Sequence, residues 1–506
     1  MPSLVAFDER TERLVRFVED TAPADIVEAT CRRLDDGEAP DRLLEAAALA
    51  VSRSTVLPPS HHGGPVHPVA GLHAISGLRA RLAGARARLP AIQGVALANK
   101  HIHSPIMGPG AMAAIEPGAL AGKTVPELLA GLESALAKRL AAAAERHLAA
   151  LLGVAPPVQI LEVLLRVALP RNALDDHYFL YLVQAFRALD AVGWDHAEVI
   201  LRPALCFLAR HPMMEADPDQ RGRIIADGID LYRNYTALER LVDDRGLADG
   251  GLAFETSAQE TAAIDSLAAR VAMVAAIASV PELLADAMAD GLSVMGALEA
   301  LSVGGARRYL RSMTGNPFDV HFHTGVNARR YLVSLPGLGL RTKLLALLSW
   351  GQGYEVRHLD RTMQGPAGPT AESLAGLPAR GREELLDAIA GSIAGQPIVD
   401  LRTLTGSIAD LVAPPSVAET VALASQYAEL GYDAAPFFDL MAELVCRDDQ
   451  SEMHAYKLQQ AAFDEYHATR EPLRRVHMVA AAKHLAGIVQ LRPQTVYPRA
   501  LAVLGP

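Results

Sequence analysis

Apolar side chains recur at spacings of three and four residues over most of the chain. In the clearest example, 125–152, leucine and alanine keep this spacing over many turns. This spacing puts apolar residues on one face of an α-helix, and the two-residue alternation of a half-buried strand is nearly absent. The pattern therefore predicts an all-α protein, a large bundle-like array of many short to medium helices. Further helical stretches cover 8–20, 40–52, 156–169, 177–192, 196–211, 218–243, 261–288, 324–335, 340–360, 415–430, 434–446, 453–467 and 471–488.

Three stretches rich in glycine and proline are predicted to be loops: 56–68, 104–123 and 363–380. Long irregular loops in a compact domain are usually functional or disordered. We predict a single helical domain over 1–506, with 1–55 as a helical N-terminal arm, because candidate site residues lie on both sides of the third loop. A subdivision near 365–380 is the alternative.

Composition and charge narrow the functional class. The chain has 506 residues, a net charge of -11 and three widely spaced cysteines. The negative charge argues against nucleic acid as a partner, because binding to phosphates needs a basic surface. With no signal peptide or membrane span apparent, we expect a cytoplasmic protein in a reducing compartment. Fingerprints of nucleotide-binding loops, serine hydrolases, zincins and CxxC zinc sites are absent from the sequence.

Histidines provide the main chemical signal. There are 17, and several lie close together at loop–helix junctions. Neutral imidazole binds iron, zinc and copper, so histidines that converge between helices can form a metal site. A surface position or a hydrogen-bonded core position is the alternative for each one. The grouped histidines are His61, His62, His67 and His73; His101 and His103; and His321 and His323.

Lys457 follows His454 by one helical turn, so both side chains share one helix face. Burying the ammonium of a lysine is costly, and its pKa therefore falls. A neutral amine can react with carbon dioxide to form a carbamate, which binds metal as a carboxylate does. The alternative is a surface lysine whose amine extends into solvent.

Four blocks of the sequence together resemble the questin oxidase-like family of helical oxygenases in aromatic polyketide pathways. HPVAGLHAISGL at 67–78 is similar to that family's histidine followed by a helix rich in alanine and leucine. The block at 175–211 begins DDHYFLYL, and the block at 318–358, which begins FDVHFHTG and reaches a Trp and a Tyr, is the best match. SEMHAYKLQQAAF at 451–463 resembles a C-terminal His-x-x-Lys helix.

The resemblance implies one non-haem ferrous iron held by histidines and, in some members, by a carboxylated lysine. Carried onto this sequence, the metal ligands are His67, His177, His323 and His454, with Lys457 as the carbamate candidate. The sequence departs from the family where Tyr181 stands in place of an expected second histidine. Either Tyr181 binds the metal or donates a hydrogen bond, or another histidine replaces the missing ligand. The replacement candidates are His61, His62, His73, His321 and His358.

The function implied is oxygenation of an aromatic, polyketide-like small molecule with dioxygen. The outcomes consistent with it are ring oxygenation, C–C cleavage or Baeyer–Villiger-type oxidation in natural product biosynthesis. Tyr181 and Asp319 are the candidate catalytic residues, and carboxylates beside ligands commonly fix a histidine tautomer. NADPH, which is associated with family members, or another external electron donor is a further expectation. The remaining candidates are Asp176 and Asp449 as ligand-orienting acids, and Tyr178, Trp350 and Tyr354 as pocket aromatics.

Two rival functions fit the same composition. A non-catalytic helical scaffold or binding protein predicts histidines scattered over the surface and no bound metal. A metal-dependent hydrolase predicts zinc and no consumption of oxygen. Helical architectures host many functions, so the fold class does not choose among the three, and the sequence leaves the oligomeric state open.

Overall fold

The protein is all-α, as the sequence predicts. A computed structural model describes residues 3–57, 63–116, 118, 120–210, 231–312, 320–358, 374, 376–378, 380–394, 415–449, 451–488 and 495–505. Within these ranges the only extended pairing is a single bridge between Leu4 and Ala113. No helix in the described part of the chain is both long and apolar enough to cross a lipid bilayer.

The helices follow one another with short connections. The first half contains α1 (Glu9–Asp20), α2 (Ile26–Asp35), α3 (Pro40–Ser54), α4 (Val66–Ala70), α5 (Leu72–Arg81), α6 (Leu89–Ile102), α7 (Val125–Ala137), α8 (Ala141–Leu152), α9 (Pro157–Arg171), α10 (His177–Val192), α11 (Ala197–Arg210) and α12 (Leu231–Asp244). The second half contains α13 (Thr261–Met273), α14 (Val280–Ala289), α15 (Val294–Arg311), α16 (His321–Ser334), α17 (Leu340–Leu348), α18 (Tyr354–His358), α19 (Arg382–Ala394), α20 (Pro415–Glu429), α21 (Ala434–Val445), α22 (His454–Ala468), α23 (Arg475–Ile488) and α24 (Val496–Leu504). Short 3-10 turns cover Gly84–Arg88, Ala258–Glu260, Ile277–Ser279 and Ser349–Gln352.

Three predicted helical stretches are interrupted: 125–152 is α7 and α8, 261–288 is α13 and α14, and 340–360 is α17 and α18. Helix α7 ends because Arg139 adopts a left-handed conformation with φ 62°. The Arg139 N–H then donates to the Leu136 carbonyl, and the Leu140 N–H donates to the Ala135 carbonyl. This is the Schellman arrangement that usually has glycine at the left-handed position, so the sequence carries no obvious stop signal there.

The centre of the fold is helix α10, whose residues from His177 to Leu189 are all buried. A helix that is buried on every side belongs to the interior of a large domain. It packs against α4, α5, α9, α11 and α16, and α16 in turn packs against α15 and α22. The starts of α10, α16 and α22 therefore lie close together near α4.

The predicted N-terminal arm packs against the rest of the fold, since α1 and α3 contact α6. Of the predicted loops, 104–123 contains no helix within its described residues. The alternative domain boundary at 365–380 falls largely outside the described residues, as do 58–62 of the first loop.

Candidate metal centre

Four buried histidines converge where these helices begin. His177, His321 and His454 are the first residues of α10, α16 and α22, and His67 lies in the short helix α4. Each is less than 5% exposed to solvent. Below, these residues are called the four-histidine cluster.

The imidazole rings of the four-histidine cluster are in mutual contact. The ring centroid of His67 lies 5.2 Å from that of His177 and 4.7 Å from that of His454. The His321 ring lies 5.0 Å from that of His177 and 5.7 Å from that of His454. His67, His177 and His454 each offer one nitrogen, and these atoms all lie within 4.8 Å of one another. An ion could be held at their centre with modest side-chain adjustment.

Local hydrogen bonds fix the orientation of two of these rings. His177 Nδ1 lies 2.8 Å from Asp175 Oδ1, and His454 Nδ1 lies 2.6 Å from the Ser451 carbonyl oxygen. A carbonyl oxygen only accepts, so the His454 Nδ1 carries the hydrogen and its Nε2 keeps the lone pair that a metal needs. A carboxylate bonded to the Nδ1–H of His177 has the same effect, as in many metal sites.

Carboxyl groups surround the cluster. Glu355 lies 3.9 Å from Nδ1 of both His177 and His321, and Asp176 Oδ2 lies 3.4 Å from His321 Nδ1. On the opposite side, Glu452 Oε2 lies 3.5 Å from His67 Nε2. Helix starts carry a partial positive charge that disfavours a cation. The acidic side chains offset that charge, so the centre remains suited to a divalent ion.

Lys457 and Tyr181 share a small cavity with His177 and His321. The cavity has room for about one water molecule. Burial lowers the pKa of Lys457 to about 7, although the Glu452 carboxylate opposes this change. Burial raises the pKa of the Tyr181 hydroxyl, which therefore stays protonated, and that oxygen has no hydrogen-bond partner within the described structure. Tyr181 is thus a wall residue of the cavity whose hydroxyl keeps its proton.

The assignment of His323 as a ligand does not match the geometry, because the ring of His321, not that of His323, lies beside those of His177 and His454. His323 points to the other side of α16, where its Nε2 lies 3.5 Å from His477 Nδ1. Residues two apart on a helix face nearly opposite directions. The choice between the two histidines of the HxH pair therefore depends on where α16 begins and how it rotates. His321 was among the named replacements.

The other named candidates divide into three groups. Asp176 lies beside His321, whereas Asp449 is remote from the cluster rings and accepts hydrogen bonds from the backbone N–H groups of Thr495 and Val496. The remaining candidate residues either pack away from the four-histidine cluster or lie outside the described residues. His73 contacts Arg187 and Asp464; Tyr178 packs on Phe207; Trp350 packs on Phe322; the Tyr354 N–H donates to the Asn172 carbonyl; and Asp319, His61, His62 and the side chain of His358 lie outside the described residues.

Three acids of the site have no role in the sequence-based prediction: Asp175, Glu355 and Glu452. Asp175 could have been found, because it precedes His177 by two residues and the pair forms a helix start. Glu355 and Glu452 reach the cluster through tertiary packing, and no local pattern marks them. Glu452 and the following Met453 have left-handed backbone conformations, with φ 52° and 66°. Such conformations in non-glycine residues are strained and concentrate at functional sites.

Comparison with protein-family models, with curated proteins and with solved structures finds no match to this chain. The chemistry of the centre therefore rests on the geometry of its own residues.

Proposed function

We propose that the chain is a mononuclear non-haem iron oxygenase that acts on an aromatic small molecule. The observation that supports this most directly is the convergence of four buried histidines beside a lysine whose pKa burial lowers to about 7, so that a substantial fraction of its amine is neutral near pH 7. Imidazole and carboxylate ligands with an open position are the donor set of non-haem ferrous oxygenases. The four blocks that resemble the questin oxidase-like family contain all four histidines and Lys457.

Lys457 is the candidate for an anionic ligand. It lines the cavity that His177 and His321 also line, three residues after His454. Addition of carbon dioxide to the neutral amine forms an N–C bond and releases one proton, and the product is a carbamate. Its negative charge suits a position at the converging helix starts.

Bound ferrous iron would supply the activation of dioxygen. Two residues near the proposed iron would have separate roles. The Asp175 carboxylate holds His177 in one tautomer, and the protonated Tyr181 hydroxyl can donate to an oxygen atom in the cavity. Electrons would come from the aromatic substrate, from NADPH or from another external donor. We place the protein in the cytoplasm, where reducing conditions would keep the iron ferrous.

The scaffold alternative predicts histidines scattered over the surface, so four buried, converging rings favour a metal enzyme. A metal-dependent hydrolase keeps support from one observation. The cavity at Lys457 has room for about one water molecule, which a zinc ion could activate.

The test is elemental analysis of protein purified without a metal-affinity tag, followed by oxygen-uptake measurements with aromatic substrates. We expect stoichiometric iron in the wild type, its loss in the double variant His67→Ala/His454→Ala, and its retention in His103→Ala, which removes an exposed histidine. Stoichiometric zinc without oxygen uptake would favour the hydrolase. A folded wild type that takes up no metal during anaerobic reconstitution with ferrous iron would refute the metal centre.

A further inference from the structure

A second, larger cavity lies on the other side of Glu452. It is about 270 Å³ in volume and partly open to solvent, and α2, α6, α24 and the segment before α22 form its walls. Glu452 and Met453 line this cavity directly. The Glu452 carboxylate also lies 3.5 Å from His67 Nε2 and 3.8 Å from His101 Nε2. Glu452 therefore contacts both the cavity and the four-histidine cluster.

Two residues of the walls, Asn99 and Asp449, each carry a buried hydrogen-bond acceptor. Asn99 is fully buried, and its Nδ2 donates to the carbonyl oxygens of Val18 and Thr21 at 2.8 Å each. Because carbonyl oxygens only accept, the amide nitrogen of Asn99 must face them, and its Oδ1 has no hydrogen-bond partner in the described structure. The Oδ2 atom of Asp449 accepts hydrogen bonds from the backbone N–H groups of Thr495 and Val496 at the start of α24. Its buried Oδ1 atom has no hydrogen-bond partner in the described structure. A buried acceptor without a partner is costly, which a ligand with O–H or N–H groups would relieve.

The rest of the cavity wall is aliphatic, and most of its charged residues are acidic. Ile26, Val27, Ala96 and Leu97 supply aliphatic surface. Three of its five charged residues are acidic, namely Asp448, Asp449 and Glu452, and the two basic residues are Lys100 and Arg499. The charge of Arg499 is already paired with Glu28. Small-ligand sites typically combine apolar walls with a few polar atoms that fix orientation. An anionic ligand is disfavoured here, and a neutral molecule with hydroxyl groups fits.

We propose that this cavity binds the organic substrate of the metal centre, and that this substrate is a neutral, largely apolar molecule carrying at least two hydroxyl or N–H donors. The proposal rests on the proposed function, because it assigns the cavity to the same reaction. Glu452 is the wall shared by the two sites, so a ligand in the cavity alters the surroundings of a metal held by His67.

The test uses 2,3-dihydroxynaphthalene as the probe and 2,3-dimethoxynaphthalene, which has the same rings without donors, as its control. Calorimetric titration of wild type should show saturable binding of the diol and at least about tenfold weaker binding of the diether, as expected when a buried acceptor stays unpaired. Equal affinity for the two compounds, or no saturable binding of the diol, would overturn the proposal.

The matched variants are Asp449→Asn and Asp433→Asn. Either amide can still cap its helix, since Asp433 accepts from the Ala435 N–H at the start of α21. Only the Asp449→Asn substitution, however, places a donor where the cavity has an acceptor. We expect Asp449→Asn to weaken diol binding about tenfold and Asp433→Asn to leave it unchanged. Ala96→Phe, which fills the cavity from α6, should abolish binding even if Asp449→Asn alters α24. Equal affinities in all variants would place the probe elsewhere.

Titrations of chelator-treated and of cobalt-loaded protein separate this proposal from the metal centre. Diol binding to metal-free protein that never takes up cobalt would support the cavity as a ligand site and refute the metal centre. Cobalt uptake without diol binding would refute only the cavity. In loaded wild type we expect the diol to change the visible cobalt spectrum. Diol binding that leaves this spectrum unaltered would refute the link between the two sites.

Discussion

Two groups of buried histidines lie on opposite sides of α16, and they differ in what surrounds them. Helix α16 contributes His321 to the four-histidine cluster. It contributes His323 to the other group, which also contains His477 and His484 and is called the internal histidine network below. Burial lowers the pKa of His323 to about 4, and that of His477 and His484 to about 3. The imidazoles of the internal histidine network are therefore neutral near pH 7, and in the four-histidine cluster burial likewise holds the pKa of His454 well below its usual value.

The partners of the two groups are different. In the internal histidine network, His477 Nε2 lies 3.4 Å from the hydroxyls of Ser302 and Thr469, and His484 Nδ1 lies 3.3 Å from the Tyr309 hydroxyl. These contacts run as a chain, and the three histidines form no metal-binding group among the residues that the structure describes. The four-histidine cluster instead converges, and a carboxylate and a backbone carbonyl orient two of its rings. Burial is therefore common to both groups of histidines, and convergence beside acidic side chains distinguishes the candidate metal centre.

The largest expected contrast is between His321→Ala and His323→Ala, which remove neighbouring histidines from the two groups. We expect His321→Ala to weaken metal binding more than about 100-fold, because loss of an outer orienting partner alone costs about 10- to 100-fold. His323→Ala should keep the metal and lower thermal stability, since it leaves a cavity in the core. Elemental analysis and thermal unfolding measure both effects. Equal metal loss in the two variants would contradict the comparison.

Asp175→Asn should weaken metal binding about 10- to 100-fold, because the amide no longer holds the His177 hydrogen as a carboxylate does. Competition with a chromogenic chelator measures the affinity. The matched control is Asp190→Asn, a substitution of the acid that accepts from Tyr331 at the exposed surface, 2.8 Å away. Unchanged affinity in the Asp175 variant would mean that His177 needs no orienting acid.

The internal histidine network should make the protein sensitive to acid. A histidine whose pKa is about 3 when folded and about 6.5 when unfolded binds a proton only in the unfolded state between these values. The free energy of unfolding therefore falls as pH drops through this window, by about 1.4 kcal/mol per pH unit for each such residue. His484→Gln should reduce the slope by about one proton, and the exposed His103→Gln should not. Denaturant unfolding at a series of pH values provides the slope, and identical slopes in both variants would exclude His484 as a source.

Gly71→Ala should show a smaller effect on the four-histidine cluster. A Cβ at Gly71 would lie 2.8 Å from both Cβ and Cγ of Met453, which precedes His454. We expect a loss of about 1–2 kcal/mol in stability from overpacking, with weaker metal binding as His454 shifts. Gly153→Ala, at the end of α8 with no atom within 4 Å of the new methyl, is the control. Wild-type metal affinity in Gly71→Ala would show that Met453 can move without His454.

Helical periodicity predicts most of the fold because each amphipathic helix carries its own signal. The prediction of 177–192 coincides with α10, and that of 453–467 differs from α22 by one residue at each end. His67, His177 and His454 lie close together, and Lys457 lines the cavity beside His177. Their role as metal ligands stays a prediction. The choice of His321 over His323 was beyond the sequence, because it depends on the rotation of α16 against α10 and α22. The sequence also does not predict that Glu355 lies beside His177, because only tertiary packing brings the two residues together.

The four-histidine cluster also constrains the order of events during synthesis. Its members extend from residue 67 to residue 454, so the last ligand leaves the ribosome only when most of the chain has already been made. The N-terminal part of a chain is made first and can begin to fold during translation. Helices α4 and α10, which carry His67 and His177, can therefore pack before α22 is synthesised, and His454 then joins side chains that are already in place. A metal ion held by all four histidines would bind only after α22 has packed.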